Sequence, residues 1–184
     1  MGYDKLWNLA KPYYRKGRPM DIEHVQWMIK DGLKVCKKEK IDPDLLIPLI
    51  ILHDVGYAKT STKNPYNKNV RKAHMKHGAA IAKELLEKVN YNKAKAKKII
   101  YYVSVHDNWA LGKWSVYKDR LLKVFKELDF IWMASPKGFR LMKKMMKRSR
   151  KEMVQYIKDE QKKDFSKFST KTTGKLFKDY LKKL

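Results

Sequence analysis

The sequence predicts an all-α protein, a helical bundle, and three observations carry that reading. Apolar residues recur at spacings of three and four along nearly the whole chain, the period of a helix with one buried face. No stretch alternates apolar and polar residues as a half-buried strand would. The periodic segments are also bounded by helix punctuation, with Asp42-Pro43 at a start and Ser135-Pro136 at a stop.

Residues 4–14, with Leu6, Trp7, Leu9, Tyr13 and Tyr14, make a short amphipathic first helix that ends near Gly17 and Pro19. Asp21 is placed to cap a helix over 22–38, where Ile22, Val25, Ile29 and Leu33 form the core stripe. Asp42 caps the next helix, Pro43 takes its first position, and it runs to His53-Asp54. Pro48 inside it predicts a kink or a tightened first turn. Residues 57–70, rich in Thr, Ser, Asn and Pro, predict a loop, either a cover over a substrate or a plain connection. Helices follow over 71–89 (Ala79, Ala80, Ala82, Leu85, Leu86) and 92–108 (Ile99, Ile100, Val103, Val105). The 118–134 segment (Leu121, Leu122, Val124, Phe125, Leu128, Phe130, Ile131, Trp132) is apolar enough for a central core helix. Past Pro136 the chain turns more basic. One long helix is expected over 139–163, packed through Leu141, Met145, Met146, Met153, Val154 and Ile157. A Ser/Thr/Lys-rich stretch at 166–175 then leads to a last short helix at 176–184. One domain of 1–184 is expected, with a core of 20–135 and a basic extension of 136–184 packed on it.

At 184 residues, 43% hydrophobic and 12% aromatic, the chain can bury a sizeable core even with 34% charged residues. The net charge of +25 favours anionic partners such as nucleotides, nucleic acid or an acidic membrane surface. It equally describes a lysine-rich solvated surface, since the lysines are spread along the chain. The single Cys36 excludes an internal disulfide and fits a reducing compartment. No segment approaches the roughly 18 apolar residues of a transmembrane helix, and Met1 to Met20 lacks the apolar centre of a signal peptide. The expected setting is cytoplasmic.

The chemistry centres on Leu49-Ile50-Ile51-Leu52-His53-Asp54-Val55-Gly56. An apolar run leads straight into a His-Asp pair, which places both groups at the edge of the core. An imidazole buried beside a carboxylate is costly unless both are hydrogen-bonded or share a cation. Four of the five histidines (His24, His53, His74, His77 and His106) fall on or at the ends of helices with an apolar stripe. Imidazole and carboxylate donors together suit divalent Fe, Mn, Co, Ni or Zn.

An ordered series carries a resemblance: Glu23-His24-Val25, Ile50 to Gly56, His74 with Gly78 four residues on, Val105-His106-Asp107, and Leu128-Asp129. Over residues 20–135 the sequence resembles the HD-domain superfamily of metal-dependent phosphohydrolases. The resemblance implies one or two divalent metal ions (Fe, Mn, Co, Ni, Zn or Mg). His24, His53, Asp54 and Asp129 match the ligands of a first ion. His74 and His106 match those of a second, with Asp54 bridging; His77 is the alternative to His74. Asp107 is an unassigned neighbour, and Pro48 departs from the family pattern.

The expected activity is hydrolysis of a nucleotide or other small phosphorylated metabolite through a metal-activated water, with Asp54 orienting or deprotonating that water. Arg71, three residues before His74 and on the same helix face, is the first choice for a phosphate clamp. Lys59, Lys72 and Lys113 are further substrate-binding candidates. Trp109 and Trp114 can stack on a nucleobase or simply pack in the core. Two alternatives stand beside this reading. One is a mixed-valent di-iron oxygenase with the same six ligands; the other is a basic nucleic-acid-binding module with a structural metal, drawing on the charge of 137–163.

Overall fold

The computed structural model describes residues 3–60, 64–65 and 67–184. Among them are nine α-helices and no strand. They are α1 (Tyr3–Lys16), α2 (Asp21–Glu39), α3 (Pro43–Leu52), α4 (Lys68–Lys88), α5 (Lys93–Val105), α6 (Arg120–Ile131), α7 (Pro136–Met145), α8 (Arg150–Asp164) and α9 (Lys171–Leu181). Short 3₁₀ turns follow α3 (Val55–Lys59), α5 (Asn108–Leu111, Ser115–Lys118) and α6 (Trp132–Ala134). None of the described helices is long and apolar enough to cross a membrane.

α3 lies at the centre. Its residues from Leu46 to Leu52 are all buried, and α1, α2, α5 and α6 pack around it. Asp42 caps it by accepting from the Asp44 amide at 2.8 Å, and Pro43 follows at the first position. Pro48 does not break the helix. Proline removes the amide that would bond the carbonyl four residues back, here that of Asp44. The Tyr91 hydroxyl donates to that carbonyl at 2.8 Å instead, so the orphaned acceptor is satisfied.

Several expectations are corrected. Asp21 does not cap α2; it is the first helical residue, buried and paired with Arg18 Nε at 3.0 Å. The core face of α2 is rotated from the expected stripe. Val25 is buried, but Leu33 is 41% exposed, and Met28, Gly32, Val35 and Cys36 face inward. Gly32 sets that face, because a Cβ there would stand 2.9 Å from Ile50 Cδ1.

The expected loop at 57–70 is partly ordered. The Val55–Lys59 turn follows α3 directly, and α4 begins at Lys68 with Asn67 accepting from the amides of Asn69 and Val70. Ser61 and Thr62 of that loop lie outside the described residues.

The single helix expected over 139–163 is two. α7 ends at Met145, Lys147 takes a left-handed conformation (φ 51°), and a capping box starts α8. The Ser149 amide donates to the Glu152 carboxylate at 2.7 Å, and the Glu152 amide donates to Ser149 Oγ at 3.3 Å. The last helix also starts earlier than expected, at Lys171, where Thr170 Oγ1 accepts from the Thr173 amide at 3.0 Å.

α7, α8 and α9 build a second apolar cluster from Phe139, Met153, Ile157 and Phe177, completed by Phe130 and Ile131 of α6. Tyr180 ties this layer to α2: its hydroxyl accepts from Trp27 Nε1 at 3.2 Å and donates to Asp31 at 3.0 Å.

Candidate metal centre

Helix ends bring the candidate donors together. His53 is the C-cap of α3 and Asp54 the next residue; His106 is the C-cap of α5. His24 comes from the first turn of α2, His74 from the middle of α4, and Asp129 from the last turn of α6. The last carbonyls of a helix have no amide partner within it, and two of them orient the ligand rings. His53 Nδ1 lies 2.8 Å from Ile50 O, and His106 Nδ1 lies 2.8 Å from Val103 O. A carbonyl only accepts, so each Nδ1 carries its hydrogen and Nε2 is turned inward as the donor atom.

Two groups of donor atoms form, each within 4.8 Å of one another: His24, His53 and Asp54, and Asp54, His74 and His106. Asp54 is common to both, and its two oxygens face different rings. Oδ2 is 3.3 Å from His53 Nε2, while Oδ1 is 3.5 Å from both His74 Nε2 and His106 Nε2. Asp129 Oδ1 lies 3.1 Å from His24 Nε2. Among the described residues, buried His24 Nε2 and His53 Nε2 have no hydrogen-bond partner, and His74 and His106 turn their Nε2 atoms toward each other at 3.2 Å. Such a cluster of buried, inward-facing nitrogens around one carboxylate is unfavourable without a cation. The donor set of imidazoles and carboxylates therefore fits one or two divalent transition-metal ions.

Aromatic packing holds the rings. Tyr57 stacks on His74 at 4.2 Å and 5°, Trp132 stacks on His24 at 5.3 Å, and Phe125 meets the edge of His53 at 5.2 Å. Burial, and after it the neighbouring His106, lowers the His74 pKa to about 3, so that ring stays neutral and ready to ligate. Burial also opposes charge on His53, but the Asp54 carboxylate outweighs it and raises its pKa to about 9. Asp54 resists its own burial in the same way: His53 holds its carboxyl well below the usual range. The same carboxylate charge that favours a proton on His53 favours a bound cation in its place.

Beside these donors lies a cavity of about 180 Å³. Its polar wall includes His24, Asp54, His106 and Asp129 with Arg18, Arg71 and Asp107. Its far wall is largely apolar, with Phe130, Trp132, Met142, Tyr156 and Phe165 among its lining and Glu160 at its edge. Arg71 pairs with Asp107, and its guanidinium lies over the Trp109 ring at 5.3 Å. Both Arg71 and Trp109 line the cavity.

The other candidates lie elsewhere. Lys59, Lys72 and Lys113 are exposed and do not line this cavity, and Trp114 is 44% exposed. Lys72 faces outward from α4, Lys59 ends the Val55–Lys59 turn, and Lys113 and Trp114 lie in the connection between the two turns after α5. His77, one turn beyond His74, is half-buried and belongs to neither donor group. Arg18 and Lys126 line the cavity and were not singled out in the sequence. Lys126 carried a signal that went unused, since it stands three residues before Asp129 on one helix face.

With that geometry in view, comparison with known families gives one match: the family model described as HD domain covers residues 21–158. The chain belongs to the HD domain family. Membership implies a metal-dependent, hydrolase-type function, in a family that binds divalent metals and acts on phosphorylated substrates. The match runs past α6 through α7 and most of α8. No curated protein and no solved structure matches the chain significantly.

Proposed function

We propose that the protein is a phosphohydrolase that cleaves a phosphate ester of a nucleotide or another small metabolite, using one or two divalent ions, with residues 1–184 acting as one domain. The observation that supports this best is Asp54. One carboxylate serves two groups of imidazoles on the wall of a cavity that also carries Arg18 and Arg71.

A divalent ion bound there supplies a water of lowered pKa and draws charge from a phosphoryl oxygen. His24, His53, Asp54 and Asp129 would hold a first ion, and His74 and His106 with Asp54 a second. Asp54, ionised and fixed among three rings, would orient the attacking water or take its proton. Arg71 is held in place by Asp107 and the face of Trp109, so its planar donors are oriented before a phosphate arrives. The apolar far wall takes the remainder of the substrate and keeps bulk water away from the reacting phosphate.

The test is turnover of a panel of phosphomonoesters and nucleotides by chain loaded with Mn, Co or Ni. Arg71→Lys, which keeps the charge and loses the fork, is expected to raise KM or lower kcat by about tenfold or more. Unchanged kinetics would remove Arg71 from substrate contact. The oxygenase reading draws on the same second donor group, and iron suits these ligands equally. Dioxygen-dependent turnover by iron-loaded chain, without phosphate release, would favour it.

A further inference from the structure

Among the described lysines of this basic chain, Lys126 stands apart. It is 5% exposed, on α6, one turn before Asp129. Aromatic rings surround its ammonium: Trp114 at 4.0 Å, Phe165 at 4.3 Å, Tyr117 at 5.5 Å and Trp109 at 5.6 Å. Among the described residues no carboxylate oxygen comes within 4.0 Å of it and it makes no hydrogen bond. Glu127 beside it is turned away, accepting from Thr173 Oγ1 at 2.7 Å and the Ser169 amide at 2.6 Å. Ring faces attract a cation but satisfy none of its three N–H donors. No acceptor among the described residues meets the ammonium, and burial lowers its pKa to about 8, which leaves it charged at neutral pH.

Its position says what the missing acceptor is. Lys126 and Asp129 both line the cavity at the metal centre. Lys126 also lines a second, neighbouring cavity of about 370 Å³, together with Lys118, Lys123 and Lys167. Lys126 is thus common to the metal-centre cavity and to a neighbouring one in which four lysines outnumber the carboxylates Glu127 and Asp164. An anion seated at the metal centre and reaching along that shared lining would meet the ammonium with a further phosphate group.

We propose that Lys126 is a specificity-determining residue that binds a second phosphate of the substrate, so that the enzyme acts on molecules with two neighbouring phosphate groups in preference to simple monoesters. This rests on the hydrolase reading above and narrows its substrate class.

The test has two arms. Metal-loaded chain, with the ion in excess, is titrated calorimetrically with inorganic pyrophosphate and separately with inorganic phosphate. The same proteins are assayed on a nucleoside monophosphate and the matching diphosphate. Lys126→Met fills the aromatic surround without a charge, and Lys126→Gln is a second neutral variant. Both are expected to weaken pyrophosphate binding by about tenfold or more, as loss of a charged hydrogen bond should. Phosphate binding should fall by much less, and the diphosphate-to-monophosphate ratio of kcat/KM should drop in parallel. Lys126→Arg should recover most of the pyrophosphate affinity, which a purely packing role for Lys126 would not require. Pyrophosphate affinity equal in the parent and the folded neutral variants would overturn the proposal while leaving the hydrolase reading intact. Lys126-dependent pyrophosphate binding without turnover of any ester would keep the anion subsite and remove the hydrolase reading.

Discussion

Asp54→Ala is expected to abolish turnover and remove the stabilisation that metal gives, while leaving the helical fold. The carboxylate is shared by both donor groups, with oxygens 3.3 and 3.5 Å from the imidazoles on either side. Its loss leaves the second group with no anionic member and the first with Asp129 alone, 3.1 Å from His24 Nε2, so the hold on a dication weakens at both. In the parent chain an ion at about 100 times its Kd adds about 2.7 kcal/mol of stability, which for a chain of this size is a rise in Tm of roughly 5–10 °C. The variant should show almost none of that rise, and phosphatase activity should fall by at least about a thousandfold. Thermal unfolding with and without Mn, a circular-dichroism spectrum and a phosphatase assay together check all three statements. A full metal-dependent rise in Tm in Asp54→Ala would mean that the ion binds elsewhere.

Gly56→Ala carries the second large effect, through close packing of backbone. Gly56 is the second residue of the turn that carries the chain away from His53-Asp54, and this turn packs against α4. A Cβ there would stand 1.9 Å from His74 O and 2.6 Å from the Gly78 amide nitrogen. Both obstacles are backbone, so neither can swing aside. Relief requires moving α4, and with it His74, away from Asp54. Overpacking costs about 1–3 kcal/mol where side chains can adjust; here about 3 kcal/mol or more is expected, with weakened metal binding as a second consequence. Gly174→Ala is the control: its Cβ would meet only the Phe168 side chain, from 3.5 Å, inside α9. That change should be neutral or stabilise by about 0.5–1 kcal/mol. Chemical denaturation of the three proteins measures the difference, and equal midpoints would refute the close-approach argument.

The helical class was legible in the sequence because periodicity and caps reflect local physics. Asp42 with Pro43 states the start of α3 outright. The Ser149-x-x-Glu152 box stated the break between α7 and α8 as clearly, but the apolar spacing running through it suggested one helix. Leu33 was misplaced because hydrophobicity alone assigned the inner face of α2. That face is in fact set by Gly32 against Ile50 and by three buried polar residues, Asp21, His24 and Asp31.

The donor residues stood out because several histidines and a His-Asp pair beside an apolar run require a shared partner. Their convergence depends on helix ends far apart in sequence, which no local pattern records. Substrate-facing cations were the least legible. Lysines are everywhere in this chain, and only three-dimensional burial separates Lys126 from exposed Lys59, Lys72 and Lys113. Arg18 sits in the turn before α2 and gains meaning only when the Val55–Lys59 turn brings Tyr57 beneath it, 4.8 Å from its guanidinium.

The most direct test of the account is the metal content of the chain, purified without chelator and reconstituted with Mn, Co or Ni, set against Asp54→Ala treated identically. The shared carboxylate predicts one or two ions per parent chain and a content well below that in the variant. A parent chain that holds no ion, or a variant that keeps the parent's full content, would contradict it.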